Sequence, residues 1–203
     1  VLLALFALAP VLIALPVGRL ADRQGYHRPM RLAVALSVLG GLFAVGATRV
    51  GGDAHFALMC LAAMLSGSAA NVGVIVIQRT AGMLARDPVE RVRVFSWLGV
   101  APSLANVIGP VSAGFMIDAA GFGAAYGLML ALPLATVAVM RRVPVLAPRP
   151  AEAAPEAQAG SGSVLTLLQL PGMRRLLVVN WLLSACWDVH AFAVPVLGHE
   201  RGF

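Results

Sequence analysis

The chain has 203 residues, 60% of them hydrophobic and only 12% charged, with a mean hydropathy of +0.87. A soluble domain carries about twice that share of charge, so a disordered chain, a collagen-like fibre and an ordinary cytosolic enzyme are excluded. The net charge of +6 comes from fifteen Arg and no Lys; these lie in the gaps between apolar blocks rather than on one face with stacking aromatics, which argues against nucleic-acid binding.

The apolar blocks have the length that crosses a hydrocarbon core of about 30 Å at about 1.5 Å per residue. In chain order they are 1–17, 32–48, 56–77, 94–117, 124–140 and 176–197. They define an all-α membrane protein, a polytopic helical bundle with six transmembrane helices. Prolines at 10, 16, 102, 110, 133 and 195 fall inside these blocks; membrane helices tolerate them because neighbouring helices satisfy the freed carbonyls. The strict alternation of a β-barrel strand is not seen. Cys60 and Cys186 both lie within apolar blocks, so no disulfide framework is expected.

Alternate gaps hold thirteen Arg and two Arg. That bias places the Arg-rich gaps in the cytoplasm, and the expected location is a bacterial inner membrane. One gap is long: 143–163 carries Pro144, Pro148, Pro150, Pro155 and a Gly-Ser-Gly-Ser run, the composition of a flexible cytoplasmic linker. A short apolar stretch at 164–170 is expected to lie at the membrane surface. The organisation expected is therefore a bundle over 1–142, a linker over 143–172 and the first helix of a second bundle over 173–203. No signal peptide is expected. The sequence opens inside an apolar block and stops in a loop, and it is taken as part of a longer protein.

The first Arg-rich gap reads Gly18-Arg-Leu20-Ala21-Asp22-Arg23-Gln-Gly25-Tyr26-His27-Arg28. Physically it is a tight helix–turn–helix, in which Gly18 permits close backbone approach, Gly25 can take positive φ and Asp22 can face a helix N-terminus. The plain alternative is a basic loop that only sets topology. The segment resembles the loop between the second and third helices of the major facilitator superfamily, Gly-x-Leu-Ala-Asp-Arg-x-Gly-Arg-Arg, with Tyr26 in place of the usual basic residue. A second segment, Gly109-Pro110-Val-Ser-Ala-Gly114, resembles the Gly-Pro-x-x-Gly-Gly element of the family's fifth helix, with Phe115 as the final residue. Read without the family, Ala105, Gly109 and Ala113 form a small-residue stripe for close helix packing. Glu90 to Phe95 is similar to the family's loop into that helix. The Arg of an Arg-x-x-Gln-Gly element is absent from the aligned stretch Ala63–Gly67, where only the glycine is kept.

The resemblance implies a chain running from about the second to the seventh of twelve helices, with the first helix and most of the C-terminal half lying elsewhere in the same protein. It implies a secondary active transporter, with a small-molecule substrate bound between two halves and a proton as coupling ion, working as an antiporter in efflux. Asp22 would act as a latch that docks on the other half in one conformation, with Gly18, Arg23, Gly25 and Arg28 as the rest of the loop motif.

Polar residues inside spans are costly and mark function. Asn71 is either an interhelical hydrogen-bonding residue or a cavity residue. Arg79 either snorkels to the headgroups or contacts substrate. Asn180, Ser184, Trp187 and Asp188 share one helical face. Asp188 is the carboxylate well inside a span: it either exchanges protons in a cavity or sits near the outer headgroups beside His190. Asp53 and His55 are expected in an external loop and Asp118 in a solvated one. No grouping has metal-ligand spacing, and no nucleotide loop or Ser–His–Asp set can be assembled, so neither cofactor, metal nor catalysis is expected. Two other classes are a membrane-embedded lipid-modifying enzyme, which needs clustered acids at headgroup level, and a non-transporting sensor or scaffold with a transporter fold.

Overall fold

A computed structural model describes residues 1–85, 87–143 and 171–202, with the backbone alone described for Asp22, Arg23, Pro171, Pro195 and His199. Five helices follow in order: α1 (Leu2–Gln24), α2 (His27–Ala47), α3 (Gly52–Leu84), α4 (Pro88–Met140) and α5 (Pro171–Glu200). The described residues contain no strand. The chain divides into two compact units, Val1–Arg149 and Pro150–Phe203; the first holds α1 to α4 and the second holds α5. The segments 143–163 and 164–170 expected as linker and surface stretch lie outside the described residues, apart from Val143.

Two residues, Gly25 and Tyr26, separate α1 from α2. Gly25 sits at φ 69°, ψ −157°, a backbone region that is essentially closed to side-chain-bearing residues. Its N–H donates to the Ala21 carbonyl at 3.1 Å and closes α1. Gly18 gives a different result from the expected close approach: among the described residues nothing lies within 4 Å of where its Cβ would be.

The turn from α2 to α3 corrects a second expectation. Asp53 and His55 are not in a loop but in the opening turns of α3, which starts four residues earlier than the apolar block. Gly52 turns the chain at φ 61°, Asp53 lies beside the unpaired N–H groups of the first turn, where a carboxylate is favourable, and His55 Nδ1 hydrogen-bonds the Ala47 carbonyl at 2.8 Å. Hydropathy ends a span at its first polar residue, whereas the helix continues until its backbone partners run out.

α4 is 53 residues long, about 80 Å if straight and far more than one bilayer core. It is broken at Gly121, with φ 79° and ψ 175°, again in territory that only glycine occupies freely. The limbs 88–120 and 122–140 line one cavity together with α2 and α3, so the chain folds back at the break. The six expected spans are thus all present, with the fourth and fifth joined through a glycine reversal. Asp118, expected in a loop, is still helical and exposed on the last turn of the first limb. At the start of α4, Asp87 accepts the Glu90 N–H at 2.7 Å and Pro88 occupies the first turn, a sound N-cap.

Inside the first unit α3 is the central element, packed against both α1 and α2, while α4 leans on α2. Val17, Ala21, Met30, Ala33, Val72, Val76 and Met140 form the buried cluster at the Arg-rich end. Small residues let the axes approach: a Cβ on Gly40 would meet Ser66 Oγ at 2.6 Å and the Ala62 carbonyl at 3.2 Å. Ser66 Oγ is itself buried with no hydrogen-bond partner among the described residues.

A single reversal inside α4 has a topological consequence. Cysteines placed at 87 and at 120 should label with a membrane-impermeant maleimide from opposite sides of the bilayer. Labelling of both from one side would mean that the 88–120 limb does not cross.

Candidate functional site

The turn between α1 and α2 is anchored by the residue that departs from the family's loop pattern. Tyr26 packs against the buried cluster of Val72, Val76 and Met140 and their neighbours, and stacks edge-on with His27 at 5.5 Å between ring centroids. Burial pushes its phenol above the ordinary value of 10.0, so the hydroxyl stays neutral. A basic side chain in this apolar seat would lose its hydration. The sequence reading missed this role; the signal available was an aromatic residue standing where the pattern has a cation. Arg28 is exposed on the first turn of α2. The backbone of Asp22 and Arg23 lies in the last turn of α1, and their side chains are outside the described residues.

Asn71 lies in the middle of α3, half-buried, and its Nδ2 donates to the Pro10 carbonyl of α1 at 3.3 Å. Of the two readings given for it, the geometry is that of an interhelical hydrogen bond. One turn earlier, Gly67 lies directly against the backbone of Phe6, and a Cβ there would collide with the Phe6 carbonyl oxygen. Arg79 is half-buried near the Arg-rich end of α3, beside the buried Thr80, whose hydroxyl donates to the Val76 carbonyl at 2.8 Å.

A cavity of about 740 Å³ opens between α2, α3 and both limbs of α4. Its wall mixes small residues such as Ala33, Ser66, Gly73 and Gly109 with larger ones such as Phe122 and Tyr126, with scattered hydroxyls and no charge. It can seat an apolar body and offers nothing for ion chemistry. Gly109 is on this wall, but Pro110 and Gly114 are not, and no described atom lies within 4 Å of where a Cβ on Gly109 or Gly114 would be. Asn106, a polar residue the sequence reading passed over, is exposed on the same limb. Its signal was an amide in the middle of an apolar block, and an amide at that depth is costly against lipid.

On α5, Asn180, Ser184, Trp187 and Asp188 are all exposed within their own unit and follow helical spacing along one side. Within the first unit the sequence-derived residues fall at the α1–α2 turn, along α3 and on the first limb of α4, and the remaining four lie on α5. The described residues contain no group of His, Cys, Asp or Glu able to hold a metal.

Such an arrangement, long apolar helices with most of their charge near the ends, defines a polytopic integral membrane protein. The family model of the Major Facilitator Superfamily matches residues 1–203, and the chain belongs to that superfamily of transporters. It is similar to the efflux pump azaK of Aspergillus niger, with 30% identity over 119 residues. That match covers 58% of this chain and 24% of the relative, so it spans about a quarter of the relative's length. No solved structure matches.

The buried phenol gives a pH dependence with a definite sign. Tyr26 has a higher pKa folded than unfolded, so its contribution is intact below about pH 10 and lost as pH rises through the folded value. Thermal melts of the detergent-solubilised protein from about pH 8 to pH 11 should show this alkaline loss, and Tyr26→Phe should flatten it. Parallel curves for the two proteins would show that the phenol ionises freely in the native state.

Proposed function

We infer that the protein carrying this chain is a secondary active transporter that exports a small solute by alternating access in exchange for protons. A transporter rather than an enzyme is the reading that the family supports, because that family is one of transporters. The observation that carries the reading is the family match over the whole chain, joined by the likeness to an efflux pump. On this reading the solute binds near the bilayer midplane, between this chain's helices and those of the rest of the protein. The Arg-rich ends face the cytoplasm, on the thirteen-to-two distribution of Arg between alternate gaps, and the membrane is a bacterial inner membrane.

Within this scheme Asp22 is the latch at the cytoplasmic turn, and Gly18, Arg23, Gly25 and Arg28 shape its loop. Asp188 is the proton-exchanging group. It lies thirteen residues beyond Arg175, about 20 Å along a straight helix, and shares its face with Asn180, Ser184 and Trp187. An acid on such a face belongs toward a water-filled interior rather than lipid.

The test is flux in proteoliposomes containing the full-length protein, driven by an imposed pH gradient. Asp188→Asn should abolish proton-driven transport and its pH dependence while solute exchange persists. An unchanged proton-driven rate in that variant would place the coupling group elsewhere.

The latch has its own readout. Asp22→Asn should lower transport about tenfold or more, the scale of a lost charge-assisted contact, with membrane insertion unchanged. Wild-type flux would reduce the segment to a topology-setting loop.

A further inference from the structure

α1 contains two prolines, and the structure treats them differently. Pro16 is exposed, whereas Pro10 is buried. Pro10 has no N–H, so the carbonyl four residues back, that of Phe6, loses its helical donor, and the ring pushes that carbonyl outward. In lipid such a freed carbonyl is costly unless a neighbour meets it. The neighbour here is α3. Gly67 presses its Cα side against the Phe6 carbonyl so closely that any side chain would collide, which suits a weak Cα–H···O contact. One turn further on, Asn71 Nδ2 donates to the Pro10 carbonyl at 3.3 Å. The steps match: four residues along α1 from Phe6 to Pro10, four along α3 from Gly67 to Asn71, in the same direction.

We propose that Gly67 and Asn71 clamp α1 around Pro10, fixing α1 and α3 as one rigid pair, and that Asn71 is thereby a positioning residue for transport. The lever is short and direct. Pro10 lies eight residues before Gly18, about 12 Å along α1. A change of about 20° in the bend, the scale of a proline kink, would displace the Gly18–Arg28 turn by about 4 Å. That is enough to move a side chain in or out of contact with a partner across the turn. Asn71 thus acts on the turn through α1, with no contact to solute.

The functional half of this proposal rests on the transporter reading; the structural half does not, and the experiment separates them. In the full-length protein, Asn71→Ala, Pro10→Ala, Pro16→Ala and the two double variants with Asn71→Ala are compared by thermal stability in detergent and by flux in proteoliposomes. Pro10→Ala restores the intrahelical donor to Phe6 and removes the ring that strains α1, so Asn71, which holds the helix through the residue-10 carbonyl, should matter less in that background, with a coupling of about three- to tenfold in the unfolding equilibrium. Pro16→Ala should show no coupling. In flux, Asn71→Ala should lower the maximal rate about fivefold or more with KM nearly unchanged, and Pro10→Ala should rescue it. Additive stability changes, or equal coupling to Pro16, would overturn the clamp. Coupled stability with a raised KM and unchanged maximal rate would overturn the positioning role and make Asn71 a solute contact. If no variant and no parent transports, the stability cycle still decides the clamp, and it is the transporter reading that fails.

Discussion

The constraint on which this structure turns is that a backbone carbonyl inside a bilayer has no water to fall back on. Every proline in a membrane helix therefore raises a question of partnership, and every close contact between helices is an answer to it or an obstacle. At Pro10 the answer is geometric: α3 presents Gly67, a residue without a side chain, at the level of the freed Phe6 carbonyl. The same helix meets α2 through Gly40, with Ala62 and Ser66 on its own side. α3 can stand between α1 and α2 because both contact lines are made of small residues. Bulk there would separate the axes and expose the carbonyl. No hydrophobic driving force would then restore the contact, since lipid is as apolar as any side chain.

Much of this architecture is legible in the sequence, because hydropathy reports a single strong fact about each segment. The six spans and the Arg-rich ends follow from composition and length alone. What hydropathy misreads are places where helix geometry outlasts apolarity. α3 runs from Gly52 to Leu84, although its apolar block ends seven residues short of that, because Gln78, Arg79 and Thr80 are good enough helix residues at the membrane edge. Asp53 and His55 are polar yet helical, held by dipole and hydrogen bond rather than by lipid. The Gly121 reversal is visible only as a glycine near a short gap, and nothing in composition distinguishes it from Gly123 or Gly127.

The candidate site was less legible, for a physical reason. Asn71 can be picked out as costly, but its partner sits 61 residues away, and the pairing depends on the register between α1 and α3. Register is set by the whole packing of Val17, Ala21, Val72 and Val76, which no single residue announces. Tyr26 illustrates the converse: it looks like a defect in the loop pattern, and the structure shows an aromatic anchor for the turn. A departure from a family pattern is thus a statement about the local environment before it is a statement about lost function.

The distribution of acids separates the two units chemically. In the first unit Asp22, Asp53, Asp87, Glu90 and Asp118 all stand within a few residues of a helix end or of the α4 break, where headgroups and water can solvate them. The cavity between α2, α3 and α4 has hydroxyls but no ionisable carboxylate. The described interior of this unit is apolar and packed through small residues, with the Phe6 carbonyl freed by Pro10 set against Gly67. α5 differs: an amide, a hydroxyl, an indole and a carboxylate follow one side of a helix whose central stretch is otherwise mostly apolar. A polar side of that kind has a cost in lipid that packing alone does not require.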